Sequence, residues 1–187
     1  MLASSAPSRQ RSGDSEAAAG GLGGVPGADS GQATAAARRL QQRAVALLAR
    51  REHSRAELAR KLQRGLDEGG DPALIDVVLD DLQRRDLLSE QRFAQALVRA
   101  RGPRYGDARL KADLQARGAS PQAAADALAA LRGSELQRAH ALWLRRFGTV
   151  PATAQERGRQ GRFLQARGFS SDVIRKVLAG GGADADR

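Results

Sequence analysis

LQARGAS at residues 114–120 returns, with one residue changed, as LQARGFS at residues 164–170. A match of this length, about fifty positions apart, marks an internal repeat. In each copy the leucine, glutamine, alanine and arginine read as the last turn of a helix, and Gly118 or Gly168 as the left-handed residue that closes it. The residue after the glycine returns to the core, and Ser120 or Ser170 caps the next helix.

The same junction occurs a third time, upstream. Gly65 stands where the helix-closing glycine belongs, and Asp71-Pro72 supplies a capping side chain before a proline, as Ser120-Pro121 does. Each cap (Asp71, Ser120, Ser170) is followed eight positions later by leucine: Leu79, Leu128 and Leu178. Apolar residues before each junction recur at helical spacing: Leu40, Ala44, Leu47 and Leu48; Phe93, Ala96, Leu97 and Ala100; Leu136, His140, Trp143 and Phe147. No stretch alternates with period two. The spacing predicts first helices over 34–52, 89–101 and 134–147 and second helices over 55–64, 107–117 and 154–167. Ser54 and Glu57 have the separation of a capping box at one of these starts.

The fold expected is all-α: three tandem three-helix repeats at 34–85, 86–132 and 133–179. A unit of roughly 45 residues buries too little apolar surface to be secure alone, so neighbours should pack in a row, giving an elongated, curved, solenoid-like body. Residues 1–33, rich in Ala, Gly, Ser and Pro, are expected to be a disordered tail, with 180–187 a second one. Neither a signal peptide nor a bilayer-spanning run is legible. The absence of cysteine excludes disulfides and thiolate zinc and points to a reducing cytoplasm.

The chain carries a formal charge of +10, and 28 of its 31 basic residues are arginine. The signs are segregated: residues 38–64 hold nine basic and two acidic groups, 66–90 two and eight, 91–117 seven and two. A chain basic through arginine usage alone has no reason to sort its charges, so an acidic partner is indicated, with nucleic acid the commonest case. The carboxylates of 67–90 are spread around a helix and read as a solvated or partner-facing acidic face, not a metal site. His53 and His140 have no metal-ligand or catalytic spacing to an acid, and no glycine-rich loop or nucleophile elbow is present. No catalytic residue, cofactor site or metal site is expected.

The basic positions themselves repeat. Arg43 and Arg50, Arg92 and Arg99, and Arg138 and Arg145 are pairs two helical turns apart, one per first helix, which would form a ladder of positive charge. A second cluster comprises Arg99, Arg101, Arg104, Tyr105, Arg109 and Lys111, with Arg117 in the first LQARG; a third comprises Arg145, Arg146, Arg157, Arg159, Arg162 and Arg167. Arginine with tyrosine clamps phosphates and stacks on bases.

At LLARREHSRAELARKL (47–62), LLSEQRFAQALVRAR (87–101), RYGDARLKADLQARG (104–118) and FLQARGFSSDVI (163–174) the chain resembles the RecX family over about residues 40–179. It departs at Ser89-Glu90, where the family often has an Asp pair. The resemblance implies a non-enzymatic regulator of the RecA recombinase. Such a protein lodges in the groove of the RecA filament on single-stranded DNA and inhibits ATP hydrolysis, strand exchange and coprotease activity. The partners expected are the RecA filament and the phosphates of single-stranded DNA, met by a monomer and with no membrane. A free-standing, sequence-independent DNA-binding protein, and a purely protein-binding helical scaffold, are the other readings the residues allow.

Overall fold

A computed structural model describes residues 27–66, 71–131 and 133–180, with side chains from residue 33 onward. The disordered tails expected at 1–33 and 180–187 lie, up to residue 26 and from residue 181, outside the described residues. Among the described residues the regular structure is entirely helical. The first unit holds α1 (Gly27–Leu48), α2 (Arg55–Gln63) and α3 (Ala73–Arg84). The second holds α4 (Glu90–Arg101), a single 3-10 turn (Gly102–Arg104), α5 (Asp107–Ala116) and α6 (Pro121–Ala129). The third holds α7 (Glu135–Arg146), α8 (Ala154–Gln165) and α9 (Ser171–Leu178).

Two boundaries depart from the periodic pattern. Helix α1 begins at Gly27, so residues 27–33, placed in the tail by their lack of apolar spacing, are helical instead, and it stops at Leu48 instead of 52. Once a first helix is nucleated by its buried face it propagates without needing apolar residues, so an extension such as GADSGQA at 27–33 leaves no apolar signature to read. In α4 the buried set is Phe93, Ala94, Leu97 and Val98, while Ala100, assigned to the stripe, is exposed.

Each unit has its own core. Leu40, Leu58, Leu62, Leu79 and Leu82 fill the first. Phe93, Leu97, Val98, Leu114 and Ala124 fill the second, and Trp143, Leu164, Phe169, Val177 and Leu178 the third. The indole of Trp143 donates to Gln160 Oε1 at 2.6 Å, so this buried N–H is satisfied. Within the second and third units one interaction recurs: the first glutamate of the leading helix receives the N-cap serine of the third, Glu90 from the Ser120 amide and Glu135 from the Ser170 amide and hydroxyl.

LQARG proves to be the joint between units. Its helix ends in a Schellman motif in both copies. Gly118 N donates to Gln115 O and Ala119 N to Leu114 O, at 2.9 and 3.0 Å. Gly168 N donates to Gln165 O and Phe169 N to Leu164 O, at 2.9 and 3.3 Å. Gly118 and Gly168 have φ +85 and +80, and the residues flanking the motif, Ala119 with Leu114 and Phe169 with Leu164, are buried together. Each end then docks on the N-terminus of the preceding unit's second helix. The Arg117 carbonyl accepts from Ser54 Oγ, and the Arg167 carbonyl accepts from Gly106 N at 3.0 Å. A methyl on Gly118 would lie 2.6 Å from Ala56 Cβ, and one on Gly168 would lie 2.5 Å from Arg109 Cβ. The glycine is therefore fixed twice, by its left-handed turn and by the neighbour's approach. Both joints seat a Schellman end on the N-cap of the preceding unit's second helix, through a side chain at Ser54 and through the backbone at Gly106.

The first unit ends differently. Gly65 is not left-handed, contrary to the sequence expectation; the Arg43 guanidinium fills the space beside it and donates to its carbonyl at 3.2 Å. No unit precedes it among the described residues, and a Schellman end has nothing there to dock on. The third residues of α2 and α8 follow the same logic. Ser54 accepts from Glu57 N at 3.0 Å, but the Glu57 carboxylate does not complete the expected box and turns to the joint instead. In α8, which no described unit follows, Glu156 closes a full capping box on Thr153.

Candidate nucleic-acid interface

The arginine pairs divide by role. The first member of each is held by a contact within the chain, at the surface in the case of Arg43. Arg43 holds Gly65; Arg92 binds Glu52 at 3.0 Å across the first boundary and Asp86 at 2.8 Å beside it; Arg138, with its side chain 10% exposed, binds Asp107 and the Gly133 carbonyl. The Glu52 and Asp86 hydrogen bonds raise the Arg92 pKa above its ordinary value, fixing its charge. The second members face outward. Arg50 and Arg99 have no carboxylate partner among the described residues, and Arg145 reaches only the Pro103 carbonyl, at 3.4 Å. The ladder is thus one exposed arginine in each of the second and third units, Arg99 and Arg145, and Arg50 with the exposed Arg43 in the first.

The other candidates separate in the same way. Arg101 and Arg109 share Asp113, at 3.2 and 3.4 Å, and Arg101 lies over the Tyr105 ring at 4.8 Å. Tyr105 is therefore half-buried beneath a guanidinium and is not presented as a free stacking platform. Arg117 is fastened to Glu57 at 2.7 Å. Arg159 and Arg167 lie over Phe147 and Phe163, whose rings meet edge to face at 5.2 Å, so both cations are oriented along one side of the third unit. Arg104, Lys111, Arg146, Arg157 and Arg162 are exposed, with no ion pair among the described residues. Phosphates can reach these without breaking anything.

One basic group carries no sign of the repeat. Arg51, Arg60, Lys61 and Arg64 line a hollow of about 580 Å3 on α2, in which the lone carboxylate, Glu57, is already bonded. The charge excess over 38–64 is its signal in the sequence, but the repeated arginine pairs lie on the first helices and do not extend to the second. The acidic face of 67–90 is more occupied than expected: Arg55 binds Asp76 and Asp80 at 2.9 and 2.7 Å, and Asp81 binds Arg84 and Arg85. These surface pairs neutralise α3 within its own unit. No group of three or more His, Cys, Asp or Glu side chains suited to a metal occurs among the described residues, and no described helix is long and apolar enough to cross a membrane.

The first joint has a titratable centre. His53, 2% exposed, has Nδ1 at 3.2 Å from Glu57 Oε2, and the same carboxylate receives Arg51 and Arg117. Burial, then the charge of Arg51, hold the His53 pKa below its ordinary 6.5, against its bond to Glu57. For Glu57 burial pushes upward, but hydrogen bonds from Arg117 and Arg51 outweigh it and hold the carboxyl below 4.5. Both folded values lie below the unfolded ones, so the unfolded chain takes up protons first as pH falls. Stability is therefore lost from about pH 6.5 downward through His53, and further below 4.5 through Glu57. Thermal melts between pH 7 and 5 should show the parent weakening with acid and His53→Gln weakening less; identical slopes would exclude His53 as the source.

Comparison with known proteins follows the same outline. Two family models match the chain: "RecX, second three-helix domain" over residues 89–128 and "RecX, third three-helix domain" over residues 134–178. The regulatory protein RecX of Leptothrix cholodnii is 55% identical over 139 residues, spanning 74% of this chain and 87% of that one. The regulatory protein RecX of Ralstonia nicotianae is 43% identical over 150 residues, spanning 79% and 91%. Among solved structures, RecX from Lactobacillus salivarius superposes with a TM-score of 0.67 at 21% identity, over 79% of this chain and 97% of that one. A likeness at that identity concerns the fold.

Proposed function

The chain belongs to the RecX family, and from that premise we propose that it regulates RecA by occupying the groove of the RecA filament on single-stranded DNA. Bound there as a monomer in the cytoplasm, and without chemistry of its own, it restrains ATP hydrolysis, strand exchange and coprotease activity. The observation that carries this reading is the division of arginines. Those at the boundaries fasten units to one another, while Arg50, Arg99, Arg145 and their exposed neighbours leave each successive unit with uncommitted positive charge. Such a row suits a long polyanionic track. It would touch phosphates, so affinity depends on salt and not on base sequence.

The test compares binding to RecA-coated and to bare single-stranded DNA under one salt condition. Tighter binding to the filament is expected, because interactions with RecA itself add to those with phosphate. Equal affinity for both would replace this reading with that of a free-standing DNA-binding protein.

A further inference from the structure

A groove of about 960 Å3 runs across the boundary of the second and third units. It forms because the 3-10 turn after α4 packs on α7, with Gly102 buried against Leu131. The floor is aliphatic: Pro103, Ala130, Leu131, Ala141 and Leu144. Leu144, on a helix otherwise amphipathic in the ordinary sense, keeps 52% of its surface in solvent. Arg99 and Arg145 stand over this floor from two different units. No carboxylate lines the groove, and Arg138 at its side is already bound to Asp107.

We propose that this groove docks an acidic, amphipathic helical segment of a protein partner. Ala141 and Leu144, three apart on α7, present an apolar row along a helix axis, the form that receives apolar anchors at i, i+3 and i+4 of an incoming helix. The two guanidinium groups, neither held by a carboxylate among the described residues, select carboxylates on its flanks. Nucleic acid is a poor occupant, because no aromatic ring lines the floor for bases to stack on. The inference rests on the filament reading above and gives the protein half of that interaction its own site: there Arg99 and Arg145 meet carboxylates, and phosphate is left to the other exposed arginines, Arg146, Arg157 and Arg162 among them.

The probe is a fluorescein-labelled helical peptide with leucines along one face and glutamates on the other, followed by anisotropy. It is expected to bind the parent and to lose at least about tenfold in affinity with Leu144→Asp. Ala141→Glu, also at an exposed position, should produce a similar loss. Arg99→Glu with Arg145→Glu should abolish binding and restore it for a peptide carrying lysine in place of glutamate. The proposal is overturned if the peptide ignores the parent, or if it binds Leu144→Asp equally well. It is likewise overturned if a single-stranded oligonucleotide displaces the peptide and itself weakens with Leu144→Asp. The response of RecA ATP hydrolysis to the parent is recorded separately: peptide binding without that response contradicts the filament reading alone, and the response without peptide binding contradicts the groove alone.

Discussion

Gly106→Ala should release the third unit from the second while leaving the fold of each intact. Gly106 has φ −78, a value alanine adopts freely, so the helix it caps does not object. The objection comes from the neighbour: a methyl there meets the Gly168 carbonyl group and lies 2.5 Å from Phe169 Cα. These are backbone atoms, which no rotamer change moves aside, and separating them breaks the Gly106 N to Arg167 O bond as well. Overpacking and the broken bond together cost about 3 kcal/mol. The only tryptophan, Trp143, lies in the third core and reports that unit by fluorescence. In urea the variant should show the Trp143 transition ahead of the loss of total helix by circular dichroism. Combined with Gly168→Ala it should cost less than the sum of the two, because both disrupt one interface. A single transition at the parental midpoint would mean that the glycine is not a joint.

The second large effect concerns charge. Arg146, Arg157 and Arg162 are exposed and hold nothing in place, so reversing all three to glutamate should leave the melting curve nearly unchanged. Binding to RecA-coated single-stranded DNA should nevertheless fall on the order of 100-fold near physiological salt. The slope of log affinity against log salt should flatten by about 2, some 0.7 for each phosphate no longer neutralised. Arg175→Glu is the control. That arginine is as exposed but already paired with Asp172, and its reversal should leave the salt slope where it was. A triple variant with the parental slope would place phosphate binding elsewhere on the protein.

These two predictions differ in how far the sequence alone foretold them. The all-helical class, the three units and most helix limits were legible because caps and apolar spacing are local signals: Ser120 and Ser170 cap where the spacing put them. That LQARG is also a joint was not legible. A Schellman glycine and a glycine pressed by a neighbouring helix look identical in one dimension, and Gly65 shows that the pattern is written even where no described unit calls for it. Candidate residues were legible by their charge, and charge does not say what it is paired with. Arg92 and Arg138 matched Arg99 and Arg145 in type and spacing, yet the former are fastened by Glu52, Asp86 and Asp107, residues up to 40 positions away. The groove at Leu144 left no sequence signal of its own, since its walls come from the ends of α4 and α6 and the middle of α7.

On the reading proposed, a jointed row of helical units, carrying free arginines along its length, restrains a RecA filament by occupying it. The decisive measurement is ATP hydrolysis by RecA on single-stranded DNA, titrated with this protein at constant salt. The rate should fall progressively and saturate, with Gly106→Ala needing far more protein to achieve the same restraint. Hydrolysis that stays constant at a large excess of the parent protein would contradict that reading.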